Sequence, residues 1–142
     1  MTQLYFAYGA NLNRAGMAHR CPAAQPVTSF YLQGWRLAFS GVATVVPAPG
    51  ESVPGALWAI TDQCEISLDH FEGYPDLYRK HWLHQAGYDI MFYVMNTDQQ
   101  SPPGQSYFRT IEEGYDNWSL PTLPLRQALE ESYSLAALDC TH

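Results

Sequence analysis

The apolar and polar positions change period several times along the chain, and each change marks an element. Leu4 to Ala7 alternates as a short strand, with Tyr5 and Ala7 on one face and Phe6 and Tyr8 on the other. Gly9 breaks it, and Asn11 is placed to cap a helix running from Leu12 to Ala18. Trp35 to Ser40 and Ala43 to Val46 read as the next two strands. Pro47 to Pro54 is rich in turn residues, and Gly55 to Ile60 reads as a fourth strand. A helix follows from Asp62 to Phe71, carrying Ile66, Leu68 and Phe71. Asp62 is its expected cap, Glu65 completes a capping-box-like pair, and Gly73 and Pro75 stop it.

Tyr78 to Gln85 and Tyr88 to Met95 form a hairpin pattern about Ala86-Gly87. Gln99 to Gly104 is a loop. Ser106 to Trp118 is helical, with Tyr107, Ile111 and Tyr115 on one face. A last helix runs from Pro124 to Leu138, with Leu125, Leu129 and Tyr133 on its apolar face and Pro124 in its first turn. The pattern predicts one α+β domain over residues 1–142: a small, curled mixed sheet or barrel flanked by helices.

Composition narrows the function. Ten Tyr and four Trp carry polar atoms that need partners, which points to buried hydrogen bonds or a lined pocket. A formal charge of −7 repels nucleic acid and anionic membrane and weakly favours an amine-bearing ligand. Cys21, Cys64 and Cys140 stand far apart, which argues against a disulfide framework or a zinc site and for a reducing, cytoplasmic setting. No signal-peptide pattern and no bilayer-length apolar run is present.

The candidate chemistry gathers at two places. Tyr5 to Leu12 is a strand, a glycine turn and a helix start, which leave several backbone N–H groups pointing at one spot. Such a junction is an anion cradle or only a turn. Glu72 closes Asp69-His70-Phe71-Glu72-Gly73 at a helix C-terminus, where partial negative charge raises a carboxylate's proton affinity. That suits a residue that takes a proton and later returns it, although many helix-end acids are simply solvated. His81 and His84 fall on opposite faces of their strand, so they do not share a metal. The chain has no GxSxG elbow and no glycine-rich nucleotide loop, and Cys21 and Cys64 read as buried structural thiols.

Taken in order, these segments resemble the γ-glutamylcyclotransferase-like family, which takes in the AIG2-like and BtrG-like proteins and the γ-glutamylamine cyclotransferases. Tyr8-Gly9-Ala10-Asn11-Leu12 is similar to its Tyr-Gly-Ser-Asn-Leu loop, and Leu57-Trp58 to the strand before its acidic helix. Leu68-Asp69-His70-Phe71-Glu72-Gly73 resembles its L-D-x-x-E-G, and Tyr78-Arg79-Lys80 the Y-x-[RK] that follows. Tyr107, with Ile111 and Gly114, matches its tyrosine-bearing helix. The resemblance runs from Leu4 to about Leu129. Ala10 replaces the usual loop serine, and Ser119 stands where the family often has the glycine of a Gly-Leu-Pro turn.

The resemblance implies a reaction: the free α-amine of a γ-glutamyl amide attacks the γ-carbonyl and expels an amine as 5-oxoproline forms. Glu72 is implied as general acid/base. The backbone of Gly9, Ala10, Asn11 and Leu12 is implied to hold the γ-glutamyl head, and Tyr8, Tyr78 and Tyr107 to line the pocket, with Tyr78 and Tyr107 as hydrogen-bond donors. No cofactor or metal is implied, the expected partner is a small-molecule substrate, and the expected assembly is a monomer or homodimer. A non-catalytic module that binds a carboxylate ligand is the alternative. Glu72 weighs against it, because an anion binder gains nothing from a carboxylate in its pocket. A transferase or hydrolase acting on a different amide would use the same residues, and release of 5-oxoproline, as opposed to free glutamate, separates that case.

Overall fold

A computed structural model describes residues 3–140, with side chains described through 137. The strands are β1 (Gln3–Ala7), β2 (Gln25–Ser40), β3 (Val42–Ile60), β4 (Tyr78–Gln85) and β5 (Tyr88–Met95). The helices are α1 (Arg14–Arg20), α2 (Asp62–Glu72), α3 (Gln105–Asn117) and α4 (Leu123–Cys140). The five strands form one sheet in the order β2-β3-β1-β5-β4. It is mixed, because β1 runs antiparallel to β3 and parallel to β5.

The sheet curls without closing, so the barrel alternative of the sequence reading is set aside. No ladder joins the edge strands β2 and β4. Their edges nevertheless meet: the Gln33 N–H donates to Gln85 Oε1 at 3.0 Å, and Gln85 Nε2 donates to the Gln33 carbonyl at 2.8 Å. Trp35 of β2 packs edge-on against His81 of β4 and Phe92 of β5, at 5.1 Å in each case. Phe6 joins this layer, with Phe30 at 5.8 Å and Phe92 at 6.3 Å.

The hairpin β4–β5 has the expected bounds. Its turn residues Ala86 and Gly87 both take positive φ, 53° and 86°, the conformation that matches strand twist in a two-residue turn. The β2–β3 hairpin is much longer than expected. Pro47 to Pro54 is strand, with Pro47 opposite Trp35 and Pro54 opposite Tyr31. Proline is tolerated there because β1 pairs only with residues 56–60 of β3, which leaves the preceding stretch with one free edge. A register shift between Gln33 and Trp35 absorbs the extra residues about Gly50.

Helix ends differ from expectation in three ways. A 3-10 turn, Ala10–Leu12, follows Gly9, and Asn13 caps α1 by accepting from the Gly16 N–H; Asn11 is freed for other work. Thr61, not Asp62, caps α2 by accepting from the Cys64 N–H, and Glu65 turns instead to Lys80. In α4 the buried positions are Leu125, Ala128 and Ser132, whereas Tyr133 is 58% exposed. The i, i+3, i+7 row faces β2, not the row that contains Tyr133. The side chains of Leu138 and Cys140 lie outside the described residues.

Helix α3 presses on the 3-10 turn through Gly114. A Cβ there would sit 2.6 Å from Leu12 Cβ and 2.8 Å from the Asn13 nitrogen. The end of α3 shows how the chain replaces a glycine. Ser119 takes φ 54°, its N–H donates to the Asp116 carbonyl, and the Leu120 N–H donates to the Tyr115 carbonyl. That is a helix-ending double hydrogen bond with serine in the left-handed position.

Two stability changes follow. Gly114→Ala would gain about 1 kcal/mol in an exposed helix; here the contact with Leu12 reverses the sign, and a loss of about 1–3 kcal/mol is expected. Ser119→Gly relieves the left-handed penalty and is expected to stabilise by up to about 1 kcal/mol. Urea unfolding midpoints measure both; a stabilising Gly114→Ala would contradict this packing.

Candidate active site

The end of α2 decides where Glu72 sits. Gly73 turns left-handed at φ 67°, its N–H donates to the His70 carbonyl, and the Tyr74 N–H donates to the Asp69 carbonyl at 2.9 Å. This cap makes Glu72 the last helical residue and points it at a cavity of about 230 Å³. The cavity walls come from β1, the loop after it, the start of β3, the α2 end and the loop after it, β4, β5 and α3.

Of the residues the sequence singled out, Tyr8, Gly9, Ala10, Asn11, Glu72, Tyr78 and Tyr107 line this cavity. Leu12 does not. Its side chain is fully buried against α3, and its N–H donates to the Gly9 carbonyl at 3.0 Å, so it has no donor to offer a ligand. The N–H groups of Gly9, Ala10 and Asn11 have no hydrogen-bond acceptor among the described residues, as expected where a tight helical turn begins. Two indoles hold the turn's carbonyls: Trp58 Nε1 donates to Asn11 O at 3.2 Å, and Trp118 Nε1 to Leu12 O at 2.9 Å. Gly9 makes a close approach: a Cβ there would lie 3.0 Å from Ala43 Cβ, so Ala43 would have to give by a few tenths of an ångström.

Glu72 is largely withdrawn from water, and burial pushes its carboxyl up to about 7; the Arg20 guanidinium pulls the other way. The direction agrees with the sequence reading, but burial is the main cause where the helix end was expected to be. Asn11 Nδ2 donates to Glu72 Oε1 at 3.3 Å and to the Tyr5 hydroxyl at 2.9 Å.

Five tyrosines surround the carboxyl, and their hydroxyl protons are committed differently. Tyr8 donates to the Tyr93 carbonyl at 2.6 Å, Tyr78 donates to the Ala43 carbonyl, and Tyr93 donates to Asp69 Oδ1 at 2.6 Å. Those three turn lone pairs, not protons, to their surroundings. The Tyr78 hydroxyl, read as a hydrogen-bond donor, gives its proton to the Ala43 carbonyl in this structure. Tyr107 accepts from the Ala43 N–H at 2.9 Å, and Tyr5 accepts from Asn11, so both keep a proton to give. Burial pushes all five phenols up, Tyr107 to about 12. They stay neutral.

Tyr5, Tyr93, Ala43 and Arg20 were missed. Tyr5 and Tyr93 carried a signal, since they are tyrosines on strands beside the loop and the hairpin; nothing local marks Ala43 or Arg20. His81 and His84 are apart, as alternation required: His81 lies among Trp35 and Phe92, and His84 Nδ1 is 2.7 Å from Asp89. Among the described residues, no three His, Cys, Asp or Glu side chains are grouped to hold a metal ion, and no helix is long and apolar enough to cross a membrane.

Comparison with known proteins points the same way. The family model described as "Gamma-glutamyl cyclotransferase, AIG2-like" matches residues 5–119. The human γ-glutamylcyclotransferase is 29% identical over 136 residues, covering 83% of this chain and 72% of that protein. The bovine enzyme is 30% identical, with the same coverage. A solved γ-glutamyl cyclotransferase structure superimposes with a TM-score of 0.77 at 27% identity, covering 96% of this chain and 88% of that one. A mouse AIG2-like protein, at 20% identity and a TM-score of 0.55, shares the fold. With the family model spanning the cradle, Glu72 and the Tyr107 helix, the chain belongs to the AIG2-like γ-glutamyl cyclotransferase family.

Proposed function

We propose that the protein cleaves γ-glutamyl amides without water, releasing 5-oxoproline and a free amine, with Glu72 moving the proton. The observation that carries this reading is a carboxyl raised to about 7, set in a cavity whose wall offers both hydrogen-bond donors and acceptors. The free N–H groups of Gly9, Ala10 and Asn11 and the free protons of Tyr5 and Tyr107 suit a carboxylate. Glu72 and the lone pairs of Tyr78 suit an ammonium. A free α-amino acid head carries both groups.

In the proposed sequence the Glu72 carboxylate takes a proton from the substrate α-ammonium. The amine nitrogen then forms a bond to the γ-carbonyl carbon, and the C–N bond to the leaving amine breaks. Protonated Glu72 returns the proton to the departing nitrogen; the regenerated carboxylate then carries the second proton of the ring nitrogen to the released amine, which leaves as an ammonium, so the enzyme ends as it began. A group with a pKa near 7 performs both transfers well. The nucleophile belongs to the substrate, so most of the acceleration comes from holding it folded; ring closures of this kind reach effective molarities of ~10⁵ M or more. Ala10 contributes its N–H to the cradle but no hydroxyl.

Glu72→Gln should keep the fold and lower kcat at least ~10²-fold, the usual loss of a general acid/base. For the native chain, kcat/KM should rise with pH and level off above an inflection near 7. A flat profile or a near-normal Gln variant would contradict the role.

Stability gives an independent reading. Folded Glu72 holds its proton to about 7, against an ordinary value of 4.5 in the unfolded chain. Between these values the native state binds more protons, so its stability falls as pH rises through the window. Glu72→Gln should therefore gain stability relative to the native chain between pH 4.5 and 7, measured by denaturant unfolding at several pH values.

A further inference from the structure

Arg20 ends α1 and touches the site without lining the cavity. Its guanidinium carbon lies 3.6 Å from the centroid of the Phe71 ring, the residue just before Glu72. Its Nη1 donates to Asn11 Oδ1. The other end of the same amide, Nδ2, faces the Tyr5 hydroxyl and Glu72 Oε1. An asparagine amide is nearly symmetric in shape, so packing alone scarcely distinguishes its two orientations. Hydrogen bonding does. A guanidinium has donors and no acceptor, so a flipped Asn11 would set N–H against N–H at Arg20 and oxygen against carboxylate at Glu72.

We propose that Arg20 is a positioning residue for Glu72, locking the Asn11 amide so that its N–H groups face the carboxylate, while the stack on Phe71 holds the guanidinium in place. The proposal takes Glu72 as the proton carrier and so rests, for its kinetic half, on the cyclotransferase reading. Its structural half does not. The charged and titratable groups that act on Glu72 are Arg20 from α1, Tyr5 from β1, Tyr8 just beyond it, Tyr78 from β4, Tyr93 from β5 and Tyr107 from α3. Arg20 alone among them is a cation, and its charge favours the carboxylate against the effect of burial. Without it, Glu72 loses an attractive charge, and Asn11 loses the partner that fixes its orientation.

The test is Arg20→Met, which keeps an unbranched apolar stem beside Phe71 but removes charge and donors. Two readouts apply: the carboxyl titration of Glu72 by ¹³C NMR, assigned by its absence in Glu72→Gln, and the pH profile of kcat/KM. The expected result is an upward move of about one pH unit in both, with kcat down about tenfold. Arg20→Lys, which restores a charge and a donor, should recover most of the rate. Should Arg20→Met not fold, Arg20→Leu, also neutral and without donors, is read the same way. A folded variant with an unmoved Glu72 titration overturns the proposal. A shifted titration in a protein whose native form turns over no γ-glutamyl amide upholds the positioning and refutes the activity.

Discussion

Burying a carboxyl costs free energy unless the surroundings supply hydrogen bonds or let it keep its proton, and the site is organised around that cost. Glu72 is carried into the cavity wall by a helix that ends sharply at Gly73. Asn11 reaches it from the loop after β1, and α3 holds that loop by contact with Gly114. The same burial that is costly to the fold lifts the carboxyl to about 7. Stability and chemistry are therefore opposed at one residue, a common arrangement where a group must exchange protons near neutrality.

The surrounding network extends this logic. Tyr93 spends its proton on Asp69, whose other oxygen receives Lys80 Nζ at 3.0 Å. Lys80 also binds Glu65, and although burial works against its charge, the hydrogen bonds to Glu65 and Asp69 raise its proton affinity overall. Tyr78 and Tyr107 meet at Ala43, one giving to its carbonyl and the other taking from its N–H. A single backbone residue on the long hairpin thus sets which phenol can donate and which can accept. That division suits the two charges of an amino-acid head, and no side-chain chemistry at position 43 is needed for it.

Much of this was legible in the sequence, and the failures have physical causes. The β4–β5 hairpin was readable because alternation and Ala86-Gly87 agree at every position. The length of β3 was hidden because its prolines and glycines mark turns everywhere except on a free sheet edge, and edge status is a property of the whole sheet. Asn11 lines the cavity, but it does not cap α1 as expected. The inserted 3-10 turn moves the cap to Asn13, and no local rule separates two asparagines two residues apart. Arg20 and Ala43 act through tertiary contacts alone, so no motif could announce them. Ser119 shows the converse: its place where the resembled family often has glycine was visible in the sequence, and its backbone is left-handed.

The central claim is that the substrate's own amine, not water, attacks the γ-carbonyl. The most direct measurement is product identity: purified protein incubated with γ-glutamyl dipeptides, γ-glutamyl-ε-lysine, simple γ-glutamyl amines and glutathione, with 5-oxoproline and glutamate both quantified. The account predicts 5-oxoproline and free amine in equal amounts from at least one member, and no glutamate. Glutamate as the product would contradict it by showing that water attacks. Folded protein that releases neither compound from any member would contradict it in favour of a binding role.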